Sequence, residues 1–283
     1  MRAFTTRLWA VTALLPVLHC CAAAAEPPAP PRQVVSVDLS GVGHGALESP
    51  GGAGQSILEG SASFLQRQRL AASDWYWGWG LRGDVFAFDN TGGFPVSHLQ
   101  DYAAQLSLEY MVHGRPAAWL TLHPGLYYER TPTLSAWDVP LEAVSAIPIS
   151  PSVSGVLGVD YARFYYLPVP IAGVTWAATP RLRANLVYPD PSVVLTLSPR
   201  LEARLAGELG GGGFKTDAVA GKTHVEYFDY HIGAHLAFKL LPGLKLEAGA
   251  GYVVDRTFEF LPGPERLHGN AAPFGHLGVT WSR

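Results

Sequence analysis

Asp229, His231 and His235 bring proton- and metal-handling groups together within seven residues. On a helix, two histidines four apart share one face and suit a zinc ion. The run that carries them, from His224 to Leu240, reads H-V-E-Y-F-D-Y-H-I-G-A-H-L-A-F-K-L and alternates. Phe228, Tyr230, Ile232, Ala234, Leu236, Phe238 and Leu240 hold one parity. Tyr227, Asp229, His231, Gly233, His235, Ala237 and Lys239 hold the other. That period of two is a strand with one apolar and one polar face. Four residues of strand span about 13 Å, too far for one ion. A metal or acid–base role here would need partners from neighbouring strands. The sequence alone therefore assigns no metal ligand, no cofactor and no catalytic residue.

Other chemistry fails on spacing. In Gly210-Gly211-Gly212-Gly213-Phe214-Lys215-Thr216, Phe214 stands where a phosphate loop needs glycine; in Gly221-Lys222-Thr223, the glycine required five residues earlier is Thr216. A phosphate cradle needs both glycines so that backbone N–H groups can approach the anion. Both stretches read as an external loop. A hydrolase would require a serine within reach of His113, His123, His231 or His235, and no serine sits in a recognisable nucleophile setting.

The strand carrying the histidines is unusually long. Soluble strands run to about 5–6 residues, whereas a tilted membrane-crossing strand needs about 9–11. Similar segments recur at Trp75–Phe88, Tyr102–Val112, Ala117–Glu129, Gly155–Phe164, Leu182–Tyr188, Ser192–Leu197, Leu201–Leu209, Leu244–Phe258 and Phe274–Trp281. Weaker ones lie at Val34–Gly41, Ser61–Ala71, Ser135–Ile147 and Pro170–Ala177. Short turns (Ala72–Asp74, His113–Pro116, Ile149–Ser152, Thr179–Arg181, Ser198–Arg200, Leu241–Gly243) alternate with longer loops (Asp89–Gln100, Gly210–Thr223, Leu261–Pro273), Pro189–Pro191 being the exception. This rhythm predicts an all-β, transmembrane, antiparallel up-and-down β-barrel of fourteen strands, or twelve if the first weak pair lies outside it. Trp75, Trp119, Trp176 and Trp281 fall beside the short-turn ends and form a candidate aromatic girdle.

Composition agrees. The chain is 48% hydrophobic and only 15% charged, against about 25% charged in soluble domains. After Glu26 it has no apolar run long enough for a spanning helix. Interleaved lipid-facing and lumen-facing residues produce that combination. The net charge of -3 excludes a strongly basic nucleic-acid binder. Residues 1–25, with Arg2 and Arg7, the apolar run Leu8–Leu18 and Ala23-Ala24-Ala25, read as a signal peptide. Cys20 and Cys21 lie inside it, and His19 before Cys20 disfavours lipidation. Residues 26–33 are a proline-rich lead-in, and 34–283 the barrel. Leu277, Val279 and Trp281 alternate into the chain end like a barrel-assembly signal, although the chain finishes Trp281-Ser282-Arg283 instead of on an aromatic residue.

From Leu167 to Phe260 the chain resembles a bacterial family of outer-membrane β-barrel proteins of unknown function. The matching runs are L-P-V-P-I-A-G-V-T-W-A-A-T-P from Leu167, R-A-N-L-V-Y-P-D-P-S-V from Arg183 and E-A-G-A-G-Y-V-V-D-R-T-F-E-F from Glu247. The resemblance implies fold and location, with no substrate and no functional residues.

The parity of each strand nominates a lumen face: Arg82, Asp84, Glu109, Asp160, Arg183, Glu202, Arg204, Glu208, Asp229, His231, His235, Lys239, Lys245, Glu247 and Asp255. Both signs are mixed, which suits either a salt-bridged filling or a narrow polar channel. The expected function is passive passage of small hydrophilic solutes across the outer membrane of a Gram-negative cell. A closed structural or surface-interaction barrel is the alternative, and an outer-membrane hydrolase the third. The expected partners are outer-membrane lipid, with barrel-assembly machinery and periplasmic chaperones during biogenesis, and no nucleic acid.

Overall fold

The computed structural model describes residues 30–47, 54–71, 73–89, 94–112, 115–165, 167–263 and 265–283. The signal-peptide reading of residues 1–25, with Cys20 and Cys21, lies outside them. Seventeen strand segments follow in chain order. They are β1 (Gln33–Ala46), β2 (Gly54–Arg69), β3 (Trp75–Phe88), β4 (His98–Val112), β5 (Arg115–Leu122) and β6 (Gly125–Tyr128). Then come β7 (Trp137–Asp138), β8 (Leu141–Ser150), β9 (Val153–Tyr161), β10 (Val169–Ala177), β11 (Leu182–Tyr188) and β12 (Ser192–Ser198). The last are β13 (Leu201–Lys215), β14 (His224–Leu241), β15 (Leu244–Leu261), β16 (Glu265–Gly269) and β17 (Ala272–Ser282).

Three pairs, β5/β6, β7/β8 and β16/β17, are single staves broken at His123–Pro124, Val139–Pro140 and Asn270–Ala271, so the wall has 14 staves. Each stave pairs antiparallel with the next, and β1 pairs with β17 (Val37 opposite Val279, Leu39 opposite Leu277), which closes the cylinder. Closure removes the unpaired edge that an open sheet would present. No helix among the described residues is long and apolar enough to cross a membrane.

The exterior follows strand parity. Leu81, Leu157, Leu205 and Leu277 are each at least 60% exposed, and Val37, Leu39, Leu106, Leu186, Leu236 and Leu246 join them. Large aliphatic side chains turned outward around a closed sheet require lipid as their solvent. The chain is a transmembrane β-barrel of the outer-membrane type. The predicted short turns at 149–152, 179–181, 198–200 and 241–243 lie at one end, with the longer connections at the other.

The staves differ greatly in length. β14 and β15 have 18 residues each, whereas β11 and β12 have 7 each. Above the low part of the wall, β6 pairs with the end of β13 through Tyr128 and Lys215, the one parallel pairing among the described residues.

Four expectations are corrected. The glycine run Gly210–Gly213 is not a loop: β13 continues to Lys215 in register with β14. Its glycines serve close packing, since a Cβ on Gly213 would stand 2.6 Å from the Phe164 carbonyl oxygen, and Gly211 has φ +101. Leu261–Pro273 likewise contains strand β16, paired with β15. Trp119 does not belong to the girdle. It pairs with Glu109 and Val144, both buried, so its parity points inward, and its indole N–H donates to Glu142. Trp75, Trp176 and Trp281 do face outward. Finally, Asp255 is turned outward by a one-residue bulge in β15.

Candidate functional site

The interior divides by height. In the half nearer the longer connections, apolar side chains from separate staves meet. Phe86 and Phe88 of β3 reach Tyr227 of β14 at ring distances of 5.4 and 5.3 Å. Tyr227 stacks on Phe258 of β15 at 4.7 Å, and Phe94, between β3 and β4, also packs on Phe258 at 4.7 Å. Leu99, Phe164, Phe214, Val225, Val253 and Phe274 belong to the same cluster. The strand signals behind it are ordinary inward parities. What brings the rings together is closure, which leaves β3 and β14 with only four staves between them around the wall.

Beneath this plug lies a buried polar strut. Tyr227 donates to Asp229 at 2.6 Å, and His231 Nε2 lies 2.8 Å from the same carboxylate oxygen. Glu59 of β2 reaches across to Tyr227 at 3.5 Å. Arg256 of β15 is fully buried close by, and its guanidinium donates to the Gln55 carbonyl at 3.3 Å. A cleft of about 100 Å³ opens beside the plug, lined by Arg82, Asp101, His123, Glu142, Asp160 and Tyr165 among others.

The half nearer the short turns is open. A cavity of about 460 Å³ is lined by Asp38, Arg183, Glu202, Arg204, Glu208, Lys245, Glu247 and His276, with Val194, Ala237 and Thr280. Its charges pair around the wall. Arg204 contacts Glu208 at 2.7 Å and Glu247 at 2.8 Å, Lys245 contacts Glu247 at 3.0 Å, and Lys239 and Arg183 lie 3.2 and 3.7 Å from Glu202. Also near the short-turn end, Arg67 bridges to Glu109 at 2.9 Å across β3.

The predicted lumen residues therefore fall into groups. Asp229 and His231 lie in the strut; Arg183, Glu202, Arg204, Glu208, Lys239, Lys245 and Glu247 form or rim the cup. His235 stands in the same wall, 3.3 Å from Glu247. Arg82 and Asp160 line the cleft, with Asp84 paired to Arg82. Asp255 departs because the β14–β15 ladder pairs His231 with Val253 but Tyr230 with Asp255, leaving Val254 as an extra residue. A bulge of one residue inverts parity beyond it. Asp255 then shares the outer face with Tyr230, its side chain 68% exposed, while Arg256, Phe258 and Phe260 turn inward.

Sequence reading missed Asp38, Glu59, Asp101, Glu142 and His276. The signal was present for His276, which opposes Leu277 and Val279 in parity. It also missed a serine–histidine contact, because Ser40 and His276 come from opposite ends of the chain. Ser40 Oγ lies 3.1 Å from His276 Nδ1, and Asp38 stands 3.6 Å from Nε2. The second distance is too long for a hydrogen bond. β1 is paired on both sides through this stretch, so its backbone N–H groups serve the ladder and none is left to form an oxyanion hole.

No known family matches the chain, and no curated protein matches it. Among solved structures, an outer membrane channel from Pseudomonas putida F1 is 12% identical, covering 90% of this chain and 96% of that one, with a TM-score of 0.49. A TodX mutant described as a monoaromatic hydrocarbon channel is 9% identical over 90% of this chain and 91% of that one, with a TM-score of 0.42. The KdgM porin is 10% identical over 88% and 99%, with a TM-score of 0.32. The likenesses found are thus to outer-membrane channels and porins of solved structure, in place of the family of unknown function expected from Leu167 onward.

Proposed function

We propose that this protein resides in the bacterial outer membrane and is a narrow, gated channel for small hydrophilic solutes. The observation that carries this reading is the charged cup of about 460 Å³ opening toward the short turns. A purely structural barrel gains nothing from leaving that half unfilled, because packed interiors are the stable solution. Beside the aromatic cluster lies a second polar space, the cleft of about 100 Å³ lined by Arg82, Glu142 and Asp160 among others. Mixed charge in the cup and the cleft fits passage with weak preference for either ion sign. Outer-membrane lipid surrounds the belt, and assembly proceeds through the barrel-assembly machinery with periplasmic chaperones.

The test is planar-bilayer recording of the refolded protein in potassium chloride. Discrete low-conductance steps with a cation-to-anion permeability ratio near one are expected. Complete absence of steps would overturn the channel and leave the closed barrel, which the aromatic plug favours.

A further inference from the structure

The wall of the cup holds a second arrangement that solute passage does not require. In the ladder, His235 of β14 stands opposite Gly249 of β15, Gly249 opposite His276 of β17, and His276 opposite Ser40 of β1. One row across four staves thus reads histidine, glycine, histidine, serine. The next row toward the short turns reads Ala237, Glu247, Gly278, Asp38. All these side chains point into the barrel. The glycines and the alanine leave a hollow in the wall, and two histidines and two carboxylates surround it.

The hollow is shaped by what is missing. A Cβ on Gly249 would lie 2.4 Å from His235 Nδ1, and a Cβ on Gly278 would lie 2.3 Å from Asp38 Oδ1 and 3.1 Å from His276 Nε2. The donor atoms of His235, Glu247 and His276 lie within 4.8 Å of one another. His235 is 3% exposed and its Nδ1 makes no hydrogen bond; it points toward Glu247 Oε1 at 3.3 Å. His276 has its Nδ1 engaged by Ser40, which orients the ring and leaves Nε2 toward the hollow. Such an outer hydrogen bond is the usual companion of a ligating histidine.

We propose that His235, His276 and Glu247, with Asp38 as fourth donor, form a site for a divalent transition-metal ion of the zinc class. Two imidazoles and two carboxylates suit a tetrahedral zinc ion, and the nitrogen donors discriminate against magnesium and calcium. Arg204 is the competitor. It contacts Glu247 at 2.8 Å and Glu208 at 2.7 Å, so it has a second carboxylate partner if Glu247 turns to the ion. The site holds whether or not the barrel conducts.

The experiment is isothermal titration of untagged, refolded protein with zinc chloride, with heat-modifiable gel migration confirming that each variant is folded. One equivalent of zinc is expected, undisturbed by a hundredfold excess of magnesium. His235→Ala and His276→Ala are each expected to weaken binding at least tenfold. Gly249→Ala keeps every donor but fills the hollow, and it is expected to do the same. His231→Gln, in the neighbouring strut, is expected to leave affinity unchanged. Absence of stoichiometric binding to folded wild-type protein would overturn the site. So would binding that survives both histidine substitutions, or binding lost with His231→Gln alone.

Discussion

Asp229 illustrates how a single residue couples fold to interior chemistry. Its carboxylate is fully buried, takes the Tyr227 hydroxyl at 2.6 Å and lies 2.8 Å from His231. Removing one member of a buried charged set leaves the others unpaired. Asp229→Asn is therefore expected to destabilise the barrel by about 3 kcal/mol, read as a lowered denaturant midpoint in detergent or bilayer. An unchanged midpoint would show that the strut contributes nothing. The inward parity of Asp229, His231 and His235 was legible in the sequence, because one uninterrupted strand carries them. Their partners were not. Glu59, Glu247 and His276 reach them through register and through closure, which no local pattern encodes. The four-residue histidine spacing was a poor guide, since His235 meets His276 of another stave and not His231.

At the scale of the element, the β14–β15 hairpin shows where parity reading breaks. The alternation from Leu244 to Val253 is regular, and carrying it forward places Asp255 inside. The extra residue Val254 inverts it, so Arg256 enters the interior with Phe258 and Phe260. The sequence offers only a weak sign of this: Tyr252, Val253 and Val254 are three consecutive β-formers with no polar residue to mark the faces. Cysteine reactivity tests the inversion. In a chain with Cys20 and Cys21 replaced by serine, Asp255→Cys is expected to react quickly with a water-soluble maleimide, and Arg256→Cys at least tenfold more slowly. Equal rates, or the reverse order, would contradict the bulge. The glycine run of β13 is a second case. Four glycines read as a loop, yet they extend a strand: a Cβ on Gly213 would meet Phe164, one on Gly210 would meet Asp229, and Gly211 takes a φ of +101.

For the whole molecule, the barrel architecture, the strand count to within two and the end bearing the short turns were legible, because each rests on patterns repeated stave after stave. Whether the lumen is open or filled was not. The answer depends on height: the aromatic cluster closes one half and the charged cup opens the other. Phe86, Phe88, Phe258 and Phe274 each alone read as ordinary strand-end residues, and Phe94 as a loop residue between β3 and β4. If the cluster is the gate, the double substitution Phe94→Ala with Phe258→Ala is expected to raise open probability several-fold in bilayer recordings without changing the strand signature in circular dichroism. No change would place the constriction elsewhere. The unequal staves carry a further consequence, for the membrane itself. Seven residues at about 3.3 Å each, tilted about 40°, rise about 18 Å, short of the apolar band of about 25 Å that such barrels present. The lipid beside β11 and β12 must compress while that beside β14 and β15 need not, at a cost that grows with each ångström of mismatch. The bilayer around this protein is thus an elastic field with a compass direction, which gives an otherwise round molecule a preferred flank toward its neighbours.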